Sequence, residues 1–545
     1  MITKLRDTFK NGEKASQSIA GAAFLIAAMG LASRVLGLFR DRILAGKFGA
    51  GDALDIYYAA FKIPDLIFNL LIVGALSAAF VPIFTSLIST KKEADAWALA
   101  NRVISIGAVA LIVLAAVLFI FSPYLVSLIT FGYSDEKQQM VANLTRIMLA
   151  SPIILGISGI FGGILNSFKK FFYYSLAPIF YNVGIILGAL FFTDRWGLVG
   201  LSMGVVLGAL LHLFVQLPEV LRCGFSFKFV LDVNDRYLWR VGKLMLPRTM
   251  GLAVTQINFL IVTILASTLE SGSLAVFNFA NNLQSVPLGV FGISFAVAAF
   301  PTLSCLWAEE QEREFIKNFS ITFRRIMFFT IPLSVLLITL RAQIVRVILG
   351  AGQFDWKDTE LTYQALGIFS LSLFAQCVIP LLARTFYAIQ NTKVPFLVGL
   401  ISEAVNLTLA LWLMRSFHIL GLVAAFSFSS IVNMLLLLLI LHNKLGSLDE
   451  KNIIRSVWKI IFATAGAAIM TQVMKFIVGG AVNMQTFIGV FIQLAVSFSA
   501  GIGTFIFIGW LLKIEEISHF WLVTKSKFVR PKVLLDEQRD EVGGI

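Results

Sequence analysis

The sequence predicts an all-α, polytopic membrane protein with about 14 transmembrane helices. Three observations carry that prediction. Of 545 residues, 58% are hydrophobic and 14% charged, with mean hydropathy +0.86. A soluble domain holds about 45–50% apolar and about 25% charged residues. The apolar residues gather in runs of about 20, the length that crosses a hydrocarbon core of about 30 Å. The basic residues fall in short gaps between the runs. A soluble multidomain enzyme and a disordered chain are both excluded.

In order, the spans cover 17–39, 54–88, 103–130, 143–167, 172–193, 196–221, 241–268, 274–304, 321–349, 362–389, 394–414, 418–442, 455–479 and 486–512. The second contains Pro64 and the eighth Pro287, and both are too long for one straight helix. Bends are expected there. Lys4, Arg6, Lys10 and Lys14 precede an apolar run in the manner of a signal peptide. That run continues to Phe39, so an uncleaved first helix is expected. The stretch after Leu512, with Glu515, Glu516 and Lys525 to Lys532, reads as a short cytoplasmic tail.

The net charge is +13 and the isoelectric point near 9.6. In a soluble chain that excess would suggest nucleic acid. Here the cations alternate with the spans, so no nucleic-acid partner is expected. With the N-terminus inside, inside segments carry roughly 28 Lys and Arg and outside loops roughly 6–8. An odd number of spans would spoil that alternation, and both termini are therefore expected on the cytoplasmic side of the membrane. Cys223, Cys305 and Cys377 lie far apart and form neither a metal site nor a disulfide framework.

A weak internal echo is present. Gly51 to Tyr57 leads to Pro64 and then to Ala78-Ala-Phe-Val-Pro82. Gly272 to Phe277 leads to Pro287 and then to Ala298-Ala-Phe-Pro301. Both copies enter from the same side, so the repeat would be parallel, about an axis normal to the membrane. The implied organisation is a lobe at 1–221, a second lobe at 222–446, two further helices at 447–512 and a tail at 513–545.

Catalytic constellations are absent. The four His form no H-x-x-x-H, and neither a P-loop nor a metal-binding D-x-D occurs. No enzyme activity and no cofactor or metal are expected. The informative residues are charges within spans, where a central Arg or Asp costs about 2.5–3.5 kcal/mol on insertion scales. Arg34 and Asp41 lie seven apart on one helix face, and Arg40 points elsewhere. They form either an ion pair with a snorkelling arginine or a cationic lining for an anionic substrate, since a guanidinium forks onto phosphate oxygens. Asp55, Lys62 and Asp65 open the second span, either as a salt bridge or as groups that tune a cavity. Arg248 either snorkels or reaches inward. Gln256, Asn258, Asn281, Asn282 and Gln284 are either interhelical glue or cavity-lining donors.

At these residues the chain resembles the MurJ/MviN lipid II flippases of the MOP exporter superfamily. The resemblance is carried by Ser33-Arg34-Val-Leu-Gly37, Arg40-Asp41, Phe48-Gly-Ala-Gly51, Asp55, Phe61-Lys-Ile-Pro64 and Gly74 to Pro82. It continues at Gln256-Ile-Asn258, Ser271-Gly-Ser273 and Phe386 to Pro395. It implies fourteen helices in two pseudo-symmetric lobes around a central cavity, with a groove on the last two helices for a polyprenyl tail. It also implies that Arg34 and Arg40 line the cavity and that Asp55 is the acidic position after the first loop.

The chain departs from the family pattern in the cavity. Phe68, Asn69 and Asn282 stand where the family has arginines, and Val73 and Ser285 where it has acids. The expected function is alternating-access translocation of lipid II, with Arg34 and Arg40 on the pyrophosphate. Asp41, Asp55, Lys62, Arg248, Gln256, Asn258 and Asn282 complete the expected substrate site. Membrane lipids are the other expected partners, and the drive would be the membrane potential or a monovalent cation. The alternatives are an exporter of another polyprenyl-linked saccharide, a cation-coupled multidrug exporter of the same superfamily, or, from another class, a membrane transferase.

Overall fold

The structure is a computed structural model that describes residues 19–73 and 79–517. The described residues form helices and turns without a strand. In chain order the helices are α1 (Ile19–Phe48), α2 (Asp52–Ile67), α3 (Val81–Ser89), α4 (Glu93–Ile129), α5 (Asp135–Met148), α6 (Ala150–Ser167), α7 (Phe171–Leu187), α8 (Thr193–Arg222) and α9 (Arg236–Ala266). There follow α10 (Ser273–Pro287), α11 (Ser294–Ala308), α12 (Glu312–Thr339), α13 (Arg341–Ile348), α14 (Trp356–Leu371), α15 (Leu373–Ala388), α16 (Lys393–Leu445), α17 (Glu450–Ala481) and α18 (Phe487–Leu511). This is an all-α polytopic membrane protein. Each of the fourteen apolar runs is helical over its described residues, apart from its ends and single-residue breaks at Leu149, Leu340 and Ser372.

Among the described residues, eight helices are long and apolar enough to cross a bilayer, or nine if α14 and α15, bent by 46°, form one span. Two of the eight, Phe171–Arg222 and Lys393–Leu445, have 52 and 53 residues. At 1.5 Å per residue each would reach about 78 Å, more than twice a bilayer core. Each instead breaks at one residue. Gly197 has φ 54° and ψ −136°, and His418, 221 residues later, has φ 49° and ψ −130°. The chain folds back at both. Three residues past each turn is a glycine that a Cβ would drive into backbone: Gly200 against Phe192, and Gly421 against Leu413. Gly184 and Gly188 likewise lie on Gly208 and Gly204, so α7 and α8 meet along small residues four apart. In lipid such close backbone approach replaces the hydrophobic drive for helix association. The 221-residue interval also separates Gly51 from Gly272, the two starts of the sequence echo.

Both span prolines stand next to a helix irregularity. Pro64 has no N–H for the carbonyl of Ala60, and Thr145 Oγ1 donates to that oxygen at 3.3 Å. A π turn follows at Phe68–Val73, and another, Leu288–Ile293, directly follows Pro287.

The chain forms two compact units. Of the described residues, the first holds those within 19–286, 344–369 and 393–433, and the second those within 287–343, 370–392 and 434–517. In the first, Asp55 is buried in α2 and accepts from Gly272 N at 2.8 Å and Ala275 N at 2.9 Å. It thereby caps the N-terminus of α10, where the first N–H groups have no helical partner. Asp358 Oδ2 accepts from Ala50 N at 2.8 Å just ahead of α2. In the second unit α17 and α18 pack as a pair. Gln343 Nε2 donates to Gln493 Oε1 at 2.9 Å, and Gln493 Nε2 to the Lys475 carbonyl at 2.7 Å. Arg324 pairs with Glu515 at 2.7 Å just past α18 and with Glu516 at 3.5 Å.

Candidate transport cavity

The first helix runs nine residues past the expected Phe39, to Phe48. That extension moves Arg40 and Asp41 from the end of the helix into its interior. In the first unit they face Asn182 on α7 and Asn282 and Ser285 on α10. Together with Ser33, Arg34, Gly37, Leu38 and Val286 these residues line a cavity of about 230 Å³.

The cavity contains one tied guanidinium and one open one. Asp41 is 2% exposed and both of its oxygens are engaged. Oδ1 accepts from Arg40 Nη2 at 2.8 Å and Nε at 3.1 Å, and Oδ2 accepts from Asn282 Nδ2 at 2.9 Å. Arg40 Nη1 donates to Asn182 Oδ1 at 3.1 Å. Asn182 is itself aimed by its Nδ2, which donates at 3.1 Å to the carbonyl of Pro178, one turn earlier. Arg34, one-half buried in α1, makes one side-chain hydrogen bond among the described residues, from Nη1 to the Ser285 carbonyl at 3.0 Å. A guanidinium has five N–H donors in a planar fork, so Arg34 keeps most of its donors for a ligand. Such a fork can take two oxygens of a phosphate in parallel.

The sequence-derived site residues separate into three groups. Arg34, Arg40, Asp41 and Asn282 come together in the cavity. Arg40, expected to point away from Asp41, reaches it through its long side chain. Asp55 sits on α2 as the cap of α10. Lys62 lies over the Phe259 ring, 5.5 Å from its centroid, and Gln256 is half-buried on α9 without a hydrogen bond among the described residues. The side chain of Arg248 lies outside the described residues, as does that of Val73. Asn258 is buried and donates to Glu403 Oε2 at 2.5 Å, while its own Oδ1 has no partner among the described residues.

Asn182 and Glu403 were missed by the sequence reading. A single amide in the apolar stretch after Pro178 gave no periodic signal. Glu403 was the stronger clue, a lone carboxylate in the run 394–414, where insertion costs demand a partner or a cavity.

A polytopic helical membrane protein with an arginine-lined cavity has the build of a membrane transporter. The profile of the lipid II flippase MurJ family matches residues 44–509. The chain belongs to this family. Arg34, Arg40 and Asp41 precede the matched residues. It is 31% identical over 487 residues to a probable lipid II flippase MurJ of Thermotoga maritima, covering 89% of this chain and 95% of the relative. It is 29% identical to the Vibrio cholerae protein of the same description, covering 84% and 88%. Among solved structures it resembles a lipid II flippase MurJ in an inward closed conformation, with TM-score 0.74 and 24% identity over 91% of this chain and all of the other. An inward-facing MATE multidrug transporter of the MOP superfamily matches with TM-score 0.66 and 16% identity over 76% and 96%.

Proposed function

We propose that this chain carries lipid II, the undecaprenyl-pyrophosphate-linked peptidoglycan precursor, from the inner to the outer leaflet of the bacterial plasma membrane by alternating access. Family membership supports the substrate. The observation that carries the site is Arg34, an arginine held inside a polar cavity by one backbone carbonyl with its other donors uncommitted. In this reading Arg34 takes the pyrophosphate oxygens. Arg40, fixed between Asp41 and Asn182, is neutralised by Asp41 and forms a rigid polar wall of the cavity. The polar side chains of Asn282 and Ser285 meet the rest of the head group. The lobes at 1–221 and 222–446 would alternate, and the helices at 447–512 would guide the polyprenyl tail. Both termini would be cytoplasmic.

Export of a negative head group against an inside-negative potential is downhill by about 2.3 kcal/mol per charge per 100 mV, so the potential can drive transport without nucleotide hydrolysis. A coupling monovalent cation would find oxygen ligands at Glu403 and at the unpartnered Oδ1 of Asn258. A second reading, export of another polyprenyl-linked saccharide, is favoured by Phe68, Asn69 and Asn282 in place of family arginines. Complementation of a strain depleted of its lipid II flippase tests the proposal. Rescue by the wild type and not by Arg34→Ala is expected. Failure of the wild type to rescue favours the other saccharide, and rescue by both removes Arg34 from the mechanism.

A further inference from the structure

The connection between α8 and α9 is neither helical nor loose. Asn101 Nδ2 on α4 donates to the Ser226 carbonyl at 3.0 Å, Lys228 N donates to Asn101 Oδ1 at 2.8 Å, and Val230 N to Ser105 Oγ at 3.1 Å. Asn101 and Ser105 are one helical turn apart, about 6 Å, which matches two extended residues at about 3.3 Å each. Residues 226–230 are therefore laid out as an extended ribbon along α4. Successive residues of such a ribbon face opposite ways. Apolar side chains stand at every second position and are exposed, Phe227 at 56%, Phe229 at 63% and Leu231 at 53%, while the polar Ser226 and Lys228 that alternate with them are exposed too and Val230 is half-buried. The backbone N–H and C=O groups of Phe227, Phe229 and Leu231 have no hydrogen bond among the described residues.

Charge on this segment is one-sided. Lys228, Arg236, Arg240 and Lys243 are exposed, Trp239 beside them is 70% exposed, and Arg222 is held by Glu219 at 3.2 Å. The two acids, Asp232 and Asp235, are both taken by Arg102 of α4, at 3.2 and 2.9 Å. No uncommitted carboxylate offsets the cations.

We propose that this ribbon is an in-plane anchor for anionic phospholipid. Phe227, Phe229 and Leu231 enter the boundary between head groups and acyl chains, and the neighbouring cations meet lipid phosphates. The unpaired backbone fixes the depth, because bare N–H and C=O groups are too costly in hydrocarbon but are satisfied by water and head groups. Aromatic rings beside Lys and Arg are the composition of that interface. Each basic residue near an anionic surface adds to the attraction. The same open backbone edge is a template for strand addition by a protein partner, but the surplus of cations favours the lipid surface. The inference rests on the membrane-spanning fold and is independent of the transported substrate.

The test uses the full-length chain with Cys223, Cys305 and Cys377 replaced by serine, and single cysteines at 227, 228, 229 or 231 labelled with the environment-sensitive fluorophore NBD. A monodisperse elution profile and a thermal midpoint in detergent equal to those of the unsubstituted chain verify folding. In phosphatidylcholine vesicles containing phosphatidylglycerol, labels at 227, 229 and 231 should shift to the blue and resist iodide quenching, while the label at 228 stays wet. Joint replacement of Lys228, Arg236 and Arg240 by glutamine should abolish the difference between phosphatidylglycerol-containing and pure phosphatidylcholine vesicles. Joint replacement of Asn101 and Ser105 by alanine should abolish the alternation. Equal wetness at all four positions in both lipids would overturn the anchor and leave the open edge to a protein strand. Blue shifts that ignore phosphatidylglycerol would overturn the anionic preference.

Discussion

Asn282 donates its amide to Asp41 Oδ2 at 2.9 Å, on the carboxylate whose other oxygen holds Arg40. The carboxylate is thereby saturated and Arg40 is immobilised. One positive and one negative charge cancel inside the cavity, and Arg34 is left as its open cation.

Removing Asp41 should therefore harm the fold more than it helps binding. Breaking a buried pair by deleting one partner costs about 3–5 kcal/mol. For Asp41→Ala the lower end, about 3 kcal/mol, is expected, because Arg40 is 21% exposed and keeps Asn182. Thermal unfolding in detergent should show a clear loss for Asp41→Ala and a smaller one for Asn282→Ala, which removes a neutral donor. Equal midpoints for Asp41→Ala and wild type would contradict the pairing.

The two hairpin turns make opposite predictions. A non-glycine residue at φ near 50° and ψ near −130° carries about 1–3 kcal/mol of backbone strain. His418→Gly should stabilise the protein by about 1 kcal/mol once the looser unfolded chain is counted. At Gly197 an added Cβ meets nothing within 4 Å, so Gly197→Ala isolates the backbone penalty and should destabilise by about 1–2 kcal/mol. Melting midpoints of the two variants should move in opposite directions.

Asp55→Ala leaves the N–H groups of Gly272 and Ala275 without an acceptor at a buried helix start. A lost cap costs about 0.5–2 kcal/mol, and burial places this one near about 2. Asp55→Asn, which keeps one acceptor oxygen, should recover part of that. A direct role of Asp55 in substrate contact would instead show as lost transport at unchanged stability.

Glu515 lies past the last span, and its hydrogen bond from Arg324 holds its carboxyl below the usual glutamate range. Its contribution to stability is complete above the ordinary unfolded value, about 4.3, and is lost as pH falls through the lower folded value. The acid limb of the stability profile should flatten in Glu515→Gln, because the neutral plateau falls while stability at the acid end is unchanged. An identical acid limb would remove Glu515 from the linkage.

The spans were legible because membrane insertion writes them as apolar runs of fixed length. That the helices would be irregular at Pro64 and Pro287 was legible because proline removes a donor wherever it stands. The cavity was half legible. A helical wheel gives the direction of a Cβ, so it joined Arg34 to Asp41 but could not follow the long Arg40 side chain back to the same carboxylate. The extension of α1 to Phe48 was hidden because its last residues are polar, and a hydropathy ruler stops at charge. Asn182 was invisible because its role depends on a partner 142 residues away in sequence. His418 carried no turn signature, since its conformation belongs to glycine.

The most direct measurement is transport by purified protein. Wild type, Arg34→Lys and Arg34→Ala would be placed in liposomes with fluorescent lipid II, and its appearance in the opposite leaflet followed under an imposed potential. The account predicts transport by wild type that accelerates when the destination side is positive, partial retention in Arg34→Lys, and loss in Arg34→Ala. Transport by Arg34→Ala at the wild-type rate would contradict it.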